Sequence, residues 1–405
     1  MNAQEPSAME ARVEGQSVVY DRTGPDQAPL LVLLPSLGTD RHVWDAQVPL
    51  LSNWFRVVRI EHPGHDGRRA PTGPYSLEYL GRRVIGVLED LDADRALFAG
   101  LSLGGLIAMW VAAEHPGRVE RLAVCCGAPS FKPSEMWVER AKQVRAGGIG
   151  PLVEPALGRW FTVPFSSGHP ALIDRYRSML SGVDPEGYAG CCDALASADV
   201  TEQLGRIQAP TLVLGGALDP VVPPESAATT MKGIPGSSLC ILAEAAHLAN
   251  VEQPDAFNSA VLAHLAGRQD ERGEAARRAV LGDAYVERAR GDASELTAPF
   301  QDFLTRWPWG DVWARPGLDR ETRRLLTIAM LATLGRRDEF EMHAREALRA
   351  GLSPAVLSEV LLQVAVYAGV PAANSAFAIA DRVWRELSGG TGLSGDTAGT
   401  APTRP

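Results

Sequence analysis

The chain has 405 residues, 45% apolar and 22% charged, with a net charge of −10, a globular composition with room for two or three domains. The acidic balance argues against nucleic acid or an anionic membrane as the main partner, yet a small anionic substrate fits if its pocket is locally positive. No apolar run reaches spanning length, and MNAQEPSAMEARVEG has neither a basic start nor an apolar core, so a cytoplasmic protein without membrane association is expected.

Residues 17–128 alternate short β-branched runs with stretches of helical spacing. SVVYDR, PLLVLLPS, FRVVRIEH, RALFAGLS and ERLAVCCGAP read as strands. Helices are expected at 76–92 and 103–115, the second stopped by His115-Pro116-Gly117. The last two strands are almost wholly apolar, as needed where helices cover both faces of a sheet. Residues 130–204 lack strand character and are rich in aromatics and helix formers, which predicts an inserted helical lid. APTLVLGG and SSLCILAEA restore strands before a helix near 254–266.

After the polar stretch AGRQDERGEAARR only amphipathic helices follow, at 275–290, 294–304, 319–335, 337–350, 354–368 and 371–388. The expected architecture is a mostly parallel α/β domain over 1–267, an all-α domain over 274–388, and a disordered tail over 389–405. The five cysteines include two adjacent pairs, Cys125-Cys126 and Cys191-Cys192. Neighbouring cysteines seldom bridge, so all five read as small buried hydrophobes of a reducing compartment.

FAGLSLGG places Ser102 between a strand and a helix, within Gly100-x-Ser102-x-Gly104-Gly105. A serine on so sharp a turn needs small neighbours, and the helix start at Leu103 offers free N–H groups to a developing oxyanion. Asp219 follows the strand in LVLGGALDPVVPP, and His247 follows the next strand in AEAAHLANVEQP. Alone, Asp219 suits a turn cap and His247 a loop histidine. In the order Ser102, Asp219, His247, each past a strand end, they match the nucleophile, orienting acid and base of an α/β-hydrolase fold. Leu37, after the second main strand, and Leu103 are the expected oxyanion donors. His115 and His264 lie at or within helices and read as structural.

SLGTD, GLSLGG, ERAKQVRAGGI, GRWFTVPF, GYAGCCDALASADV and HLANVEQPDAFN together resemble the β-ketoadipate enol-lactone hydrolases over roughly residues 15–267. The segment IEHPGHDGRRAPTGPYS departs from that family, with Pro63 and Asp66 in place of its usual run, and is expected to shape the pocket entrance. The resemblance implies a five-membered enol-lactone bearing an acetate arm. That arm needs a cation: Arg41, Arg68, Lys132 and Arg159 are all candidates, and the sequence does not choose among them. Trp137 in the lid is a further candidate for substrate contact.

DEFEMHAREALRAG carries Glu339 and His343 four residues apart, on one helical face. Alone, such a pair is more often a solvated surface pair. The surrounding RPGLDRETRRLLTIAMLATLG and EMHAREALRAGLSPAVLSEVLLQVAVYAGVPAANSAF resemble the γ-carboxymuconolactone decarboxylases over nearly the whole second domain. Related alkylhydroperoxidases carry a C-x-x-C pair just before the histidine. Arg336 and Glu339 stand at those positions here, and no cysteine follows Cys240, so acid–base rather than thiol chemistry is implied.

The resemblance implies decarboxylation without metal or cofactor. His343 would be the acid, with Glu339 orienting it and raising its pKa, and with Arg323 or Arg320 holding substrate carboxylates. Trp307, Trp309 and Trp313 read as packing, and the helical domain is expected to build a homo-oligomer. The combined expectation is a bifunctional enzyme acting on small lactone carboxylates of protocatechuate breakdown. The rival is a monofunctional lactonase or esterase whose C-terminal domain serves oligomerisation.

Overall fold

The structure, a computed structural model, describes residues 8–267, 269–315 and 317–389. The chain divides into two compact units, Met1–Arg268 and Gln269–Pro405. The tail expected to be disordered lies, beyond residue 389, outside the described residues.

In the first unit, β-branched runs form β1 (Met9–Val13), β2 (Gln16–Thr23), β3 (Leu30–Leu34), β4 (Arg56–Ile60), β5 (Ala96–Leu101), β6 (Val119–Cys125), β7 (Thr211–Gly216) and β8 (Ser238–Leu242). They make one sheet in the order β1-β2-β4-β3-β5-β6-β7-β8. The pairs β1–β2 and β2–β4 are antiparallel and the rest parallel. Every residue of β3, β5 and β7 is buried. β1 has no counterpart among the expected strands. MEARV buries only Ala11 fully, so its pattern is that of an edge strand. The Glu14-Gly15 turn, at φ 50 and 81, folds it onto β2 as a two-residue hairpin.

The sheet is flanked by α1 (Val48–Leu51), α2 (Leu77–Asp90) and α3 (Leu103–Glu114). Ser76 caps α2 by accepting from Tyr79 N–H. Between β6 and β7 come α4 (Ser134–Gly147), α5 (Val153–Trp160), α6 (Val163–Gly168), α7 (Pro170–Ser181) and α8 (Pro185–Ser197), which form the lid. Ser130 bridges to Asp199 at its base. The unit ends with α9 (Pro224–Gly233), α10 (Ala249–Glu252) and α11 (Pro254–Leu265). The cysteines are free; four are buried and Cys240 is half-buried.

The described part of the second unit is helical: α12 (Gln269–Leu281), α13 (Asp283–Gly291), α14 (Ala298–Leu304), a π-helix at Thr305–Trp313, then α15 (Arg320–Thr333), α16 (Arg337–Arg349), α17 (Pro354–Ala368) and α18 (Val370–Gly389). The helix expected over 275–290 is broken at Gly282, whose φ of +79 ends α12. The π-turn is also new. Pro308 lies inside it and has no N–H to donate, so the ladder widens there. Phe340, Ala344 and Ala347 of α16 pack with Ile328, Leu361, Ala376 and Val383. Alanines at these contacts let the helices approach closely.

Candidate active site

β5 ends at Leu101 and α3 starts at Leu103, so Ser102 alone makes the turn. Its backbone lies at φ 55, ψ −111, a conformation that costs an L-residue about 1–3 kcal/mol and persists only where its surroundings impose it. The imposition is steric. A Cβ on Gly100 would stand 2.2 Å from Gly104 O, and one on Gly104 would stand 2.3 Å from Leu34 O. Only glycines let helix and strand meet this closely.

His247 Nε2 lies 2.9 Å from Ser102 Oγ, and its Nδ1 lies 2.8 Å from Asp219 Oδ2. A carboxylate only accepts, so Nδ1 carries the proton and the Nε2 lone pair faces the serine. Asp219 is itself oriented, because its Oδ1 accepts from Val221 N–H and Val222 N–H at 2.8 and 3.0 Å. All three side chains are at most 5% exposed, which strengthens their mutual electrostatics. Leu37 and Leu103 N–H donate to no protein acceptor among the described residues. Such an arrangement can deprotonate a serine and receive an oxyanion.

A cavity of about 570 Å³ adjoins Asp219 through Pro220 and Val221, and Phe131, Trp137, Arg140 and Arg159 line its lid side. The Arg140 guanidinium lies 4.5 Å from the Trp137 ring centroid, a cation–π distance. Burial, and then the nearby Arg140 charge, hold Arg159 below the usual arginine range. Neither arginine pairs with a carboxylate among the described residues. Two partly buried cations facing one cavity are an arrangement that can hold an anion.

In the second unit His343 is 8% exposed on α16, with the Trp313 ring stacked on it at 6.2 Å and 11°. Burial, followed by the Arg324 charge, pushes its pKa down to about 4, and Glu339 opposes this more weakly. Arg324 is held in place by donating to Ala279 O and Val280 O at 3.1 and 3.0 Å, which also satisfies carbonyls in the last turn of α12. His343 is therefore uncharged at neutral pH. Among the described residues no three His, Cys, Asp or Glu side chains group to hold a metal ion.

The α/β-hydrolase family model matches residues 31–260, and that of the carboxymuconolactone decarboxylase family matches 298–382. A 3-oxoadipate enol-lactonase of Acinetobacter baylyi is 38% identical over 242 residues, 60% of this chain and 90% of that protein. A 4-carboxymuconolactone decarboxylase of the same organism is 44% identical over 108 residues, 27% of this chain and 81% of that protein. The chain is an α/β-hydrolase fused to a carboxymuconolactone decarboxylase family domain. The crystal structure of an enol-lactonase from Burkholderia xenovorans LB400 superposes on the hydrolase half with a TM-score of 0.63 at 37% identity, covering 64% of this chain and all of that one.

Within the hydrolase half, Ser102, Asp219 and His247 come together, and Trp137, Lys132 and Arg159 share the cavity. Three of the four cation candidates pair with carboxylates, Lys132 with Asp199 at 3.5 Å at the cavity rim and the other two away from the cavity. Arg41 is tied to buried Asp21 and Glu61 at 3.0 and 2.9 Å, and Arg68 pairs with Glu10 and Asp66. Arg140, absent from the candidates, takes their place. Three residues after Trp137, it shares that residue's face of α4, and this spacing was the signal for it. The segment around Pro63 does not line the cavity; His62 and His65 are buried, and Gly64 O accepts from Asp184 N–H at the start of α8.

In the decarboxylase half, one expectation changes. Glu339 is exposed and does not dominate His343, whose pKa moves down rather than up. Arg323 donates to Arg315 O at 2.9 Å and Arg320 is exposed at the start of α15; a third arginine, Arg324, is the cation that shifts His343. Trp309 packs with Val280, Leu281 and Val286, and Trp313 packs against the same cluster, both as expected; Trp313 also stacks on His343.

Proposed function

We propose that this chain is a bifunctional enzyme of the β-ketoadipate route in protocatechuate breakdown: it decarboxylates 4-carboxymuconolactone to the enol-lactone and hydrolyses that to 3-oxoadipate. The observation that carries the reading is a completed Ser102–His247–Asp219 relay on the same chain as a buried, neutral His343. Ser102 Oγ attacks the ring carbonyl as His247 Nε2 takes its proton. The oxyanion is received by the Leu37 and Leu103 N–H groups, each such donor contributing about 3 kcal/mol to transition-state stabilisation. The leaving group is an enolate, so positioning is the main demand. Arg140 and Arg159 hold the acetate arm. Water activated by His247 then releases the acid, which tautomerises to the ketone.

In the second half, loss of carbon dioxide from the γ-carbon sends its electron pair through the ring alkene to the lactone oxygen. No cofactor sink is needed. His343, neutral rather than an imidazolium acid, donates a ring N–H to that carbonyl oxygen, and the Arg324 charge stabilises the dienolate. The α-carbon then takes a proton from solvent water, which completes the enol-lactone. Association of the helical unit into a homo-oligomer is supported by large apolar side chains left exposed on it, Tyr367, Val366 and Leu334 at 85, 74 and 70%.

The test is to supply 4-carboxymuconolactone and follow carbon dioxide and 3-oxoadipate together. Ser102→Ala should release carbon dioxide and stop at the enol-lactone. His343→Ala should release none yet open enol-lactone supplied directly. If His343→Ala leaves every activity intact, the monofunctional lactonase replaces this reading.

A further inference from the structure

The segment Glu61–Asp66 departs from the family pattern, yet it is among the most buried polar stretches of the hydrolase half. His62 and His65 are 5 and 2% exposed. His62 Nε2 lies 2.8 Å from Pro35 O. A carbonyl only accepts, so this nitrogen carries the proton and donates. Burial, then the neighbouring His65, push the His62 pKa down to about 3, so the ring stays neutral.

Pro35 O accepts a second hydrogen bond, from Gly104 N–H at 3.1 Å. That pairing matters because of what flanks each partner. Leu37 is two residues after Pro35, and Leu103 immediately precedes Gly104. The two N–H groups that receive the oxyanion are thus carried by segments that meet at the Pro35 carbonyl, and His62 clamps that meeting point from a third segment, the end of β4. His62 is held in turn by an edge-on contact with His65, centroids 5.4 Å apart at 82°. His65 accepts support from the lid, where Tyr188 of α8 stacks on it at 6.5 Å and 14°. Its Nδ1 lies 3.0 Å from Pro63 O.

We infer that His62 is a positioning residue for the oxyanion hole: its ring N–H, donated to Pro35 O, fixes the Leu37 donor against the Leu103 donor. The inference rests on the hydrolase reading of Ser102. It assigns the departing segment to the transition state rather than to the cavity mouth. An apolar residue at 62 would leave Pro35 O with one donor and the loop after β3 free to drift. Glutamine, whose side-chain N–H also donates, would hold it.

The full chain carrying His62→Met or His62→Gln is compared with wild type on the enol-lactone and on p-nitrophenyl acetate, with phenylboronic acid as a probe whose serine adduct places an oxygen in the oxyanion hole. His62→Met should lower kcat about 10- to 100-fold on both substrates, somewhat less than outright loss of a donor, with KM within about twofold. It should weaken phenylboronic acid by a similar factor, and His62→Gln should recover most of both. A folded His62→Met with wild-type kcat and boronate affinity overturns the inference, as does His62→Gln falling as far as His62→Met. Should His62→Met not fold, nitrogen NMR of the wild-type chain decides: His62 must show the neutral Nε2–H form across the neutral range, and the other tautomer or a charged ring overturns the inference. Wild type that opens neither substrate refutes the hydrolase reading itself, a separate outcome.

Discussion

Gly104→Ala is the sharpest test of how the hydrolase site is built. A Cβ there would stand 2.3 Å from Leu34 O, 2.6 Å from Leu34 C and 2.7 Å from Pro35 O. All three are backbone atoms at the end of a fully buried strand, so no side chain can swing aside. Ordinary contact begins near 3.4 Å, and β3 and α3 must part by about 1 Å. Because Leu37 follows the one and Leu103 belongs to the other, the gap between the donors widens by a similar amount. A hydrogen bond stretched so far is effectively lost, and losing one oxyanion donor costs about 10²–10³ in kcat. Overpacking adds about 1–3 kcal/mol of destabilisation, several degrees of melting temperature. Steady-state hydrolysis of the enol-lactone and of p-nitrophenyl acetate, with a thermal melt of the same sample, separates the two effects. We expect kcat to fall about 100-fold with KM changed less than about threefold. Wild-type kcat in Gly104→Ala would refute the placement of the two donors.

Paired Arg140→Met and Arg159→Met should raise KM for the enol-lactone at least about tenfold while leaving p-nitrophenyl acetate, which has no carboxylate, nearly unaffected; equal effects on both would remove the anion site. Carbon dioxide release should show no His343 inflection near the ordinary histidine value of about 6.5, because that group titrates at about 4. Arg324→Met should move its NMR titration upward, and an unmoved titration contradicts the electrostatic role. For stability, burial lowers His65 to about 4 and His62 to about 3, below their unfolded value. From about pH 6.5 down to about 4 for His65 and about 3 for His62, the unfolded chain binds protons that the folded one refuses, so stability is complete above that window and falls as pH drops through it. Urea midpoints of wild type and His65→Gln should diverge at pH 7 and converge toward pH 4 if this linkage holds; a constant difference contradicts it.

The parallel strands were legible because each is an apolar run buried on both faces, and Ser102 was legible because glycines bracket it between strand and helix. β1 was hidden by its polar alternation, which is how an edge strand looks and also how a loop looks. Arg140 and Arg324 were hidden because the sequence shows cations but not which of them have found carboxylates: Arg41 seemed as free as Arg140 until Asp21 and Glu61 were seen beside it. The sign of the His343 shift was also beyond reach. Helical spacing places Glu339 near it, but burial and a residue on another helix, Arg324, outweigh that neighbour. The π-turn at Pro308 and the break at Gly282 needed packing information as well, although a proline and a glycine marked both places.

The bridge from Ser130 to Asp199, reinforced by Val200 N–H donating to Pro129 O at 2.9 Å, brings the two ends of the lid to one point beside the sheet. Seen from β6 and β7, five helices occupy the place of a single connecting turn. Such an insert is a natural graft: it can be exchanged for one of different size without altering strand register. The donor of the relay's hydroxyl, its base and its orienting acid all lie outside it. A chimaera keeping residues 8–129 and 200–267 would be expected to retain serine reactivity toward a small neutral ester while adopting the acyl preference of the borrowed helices.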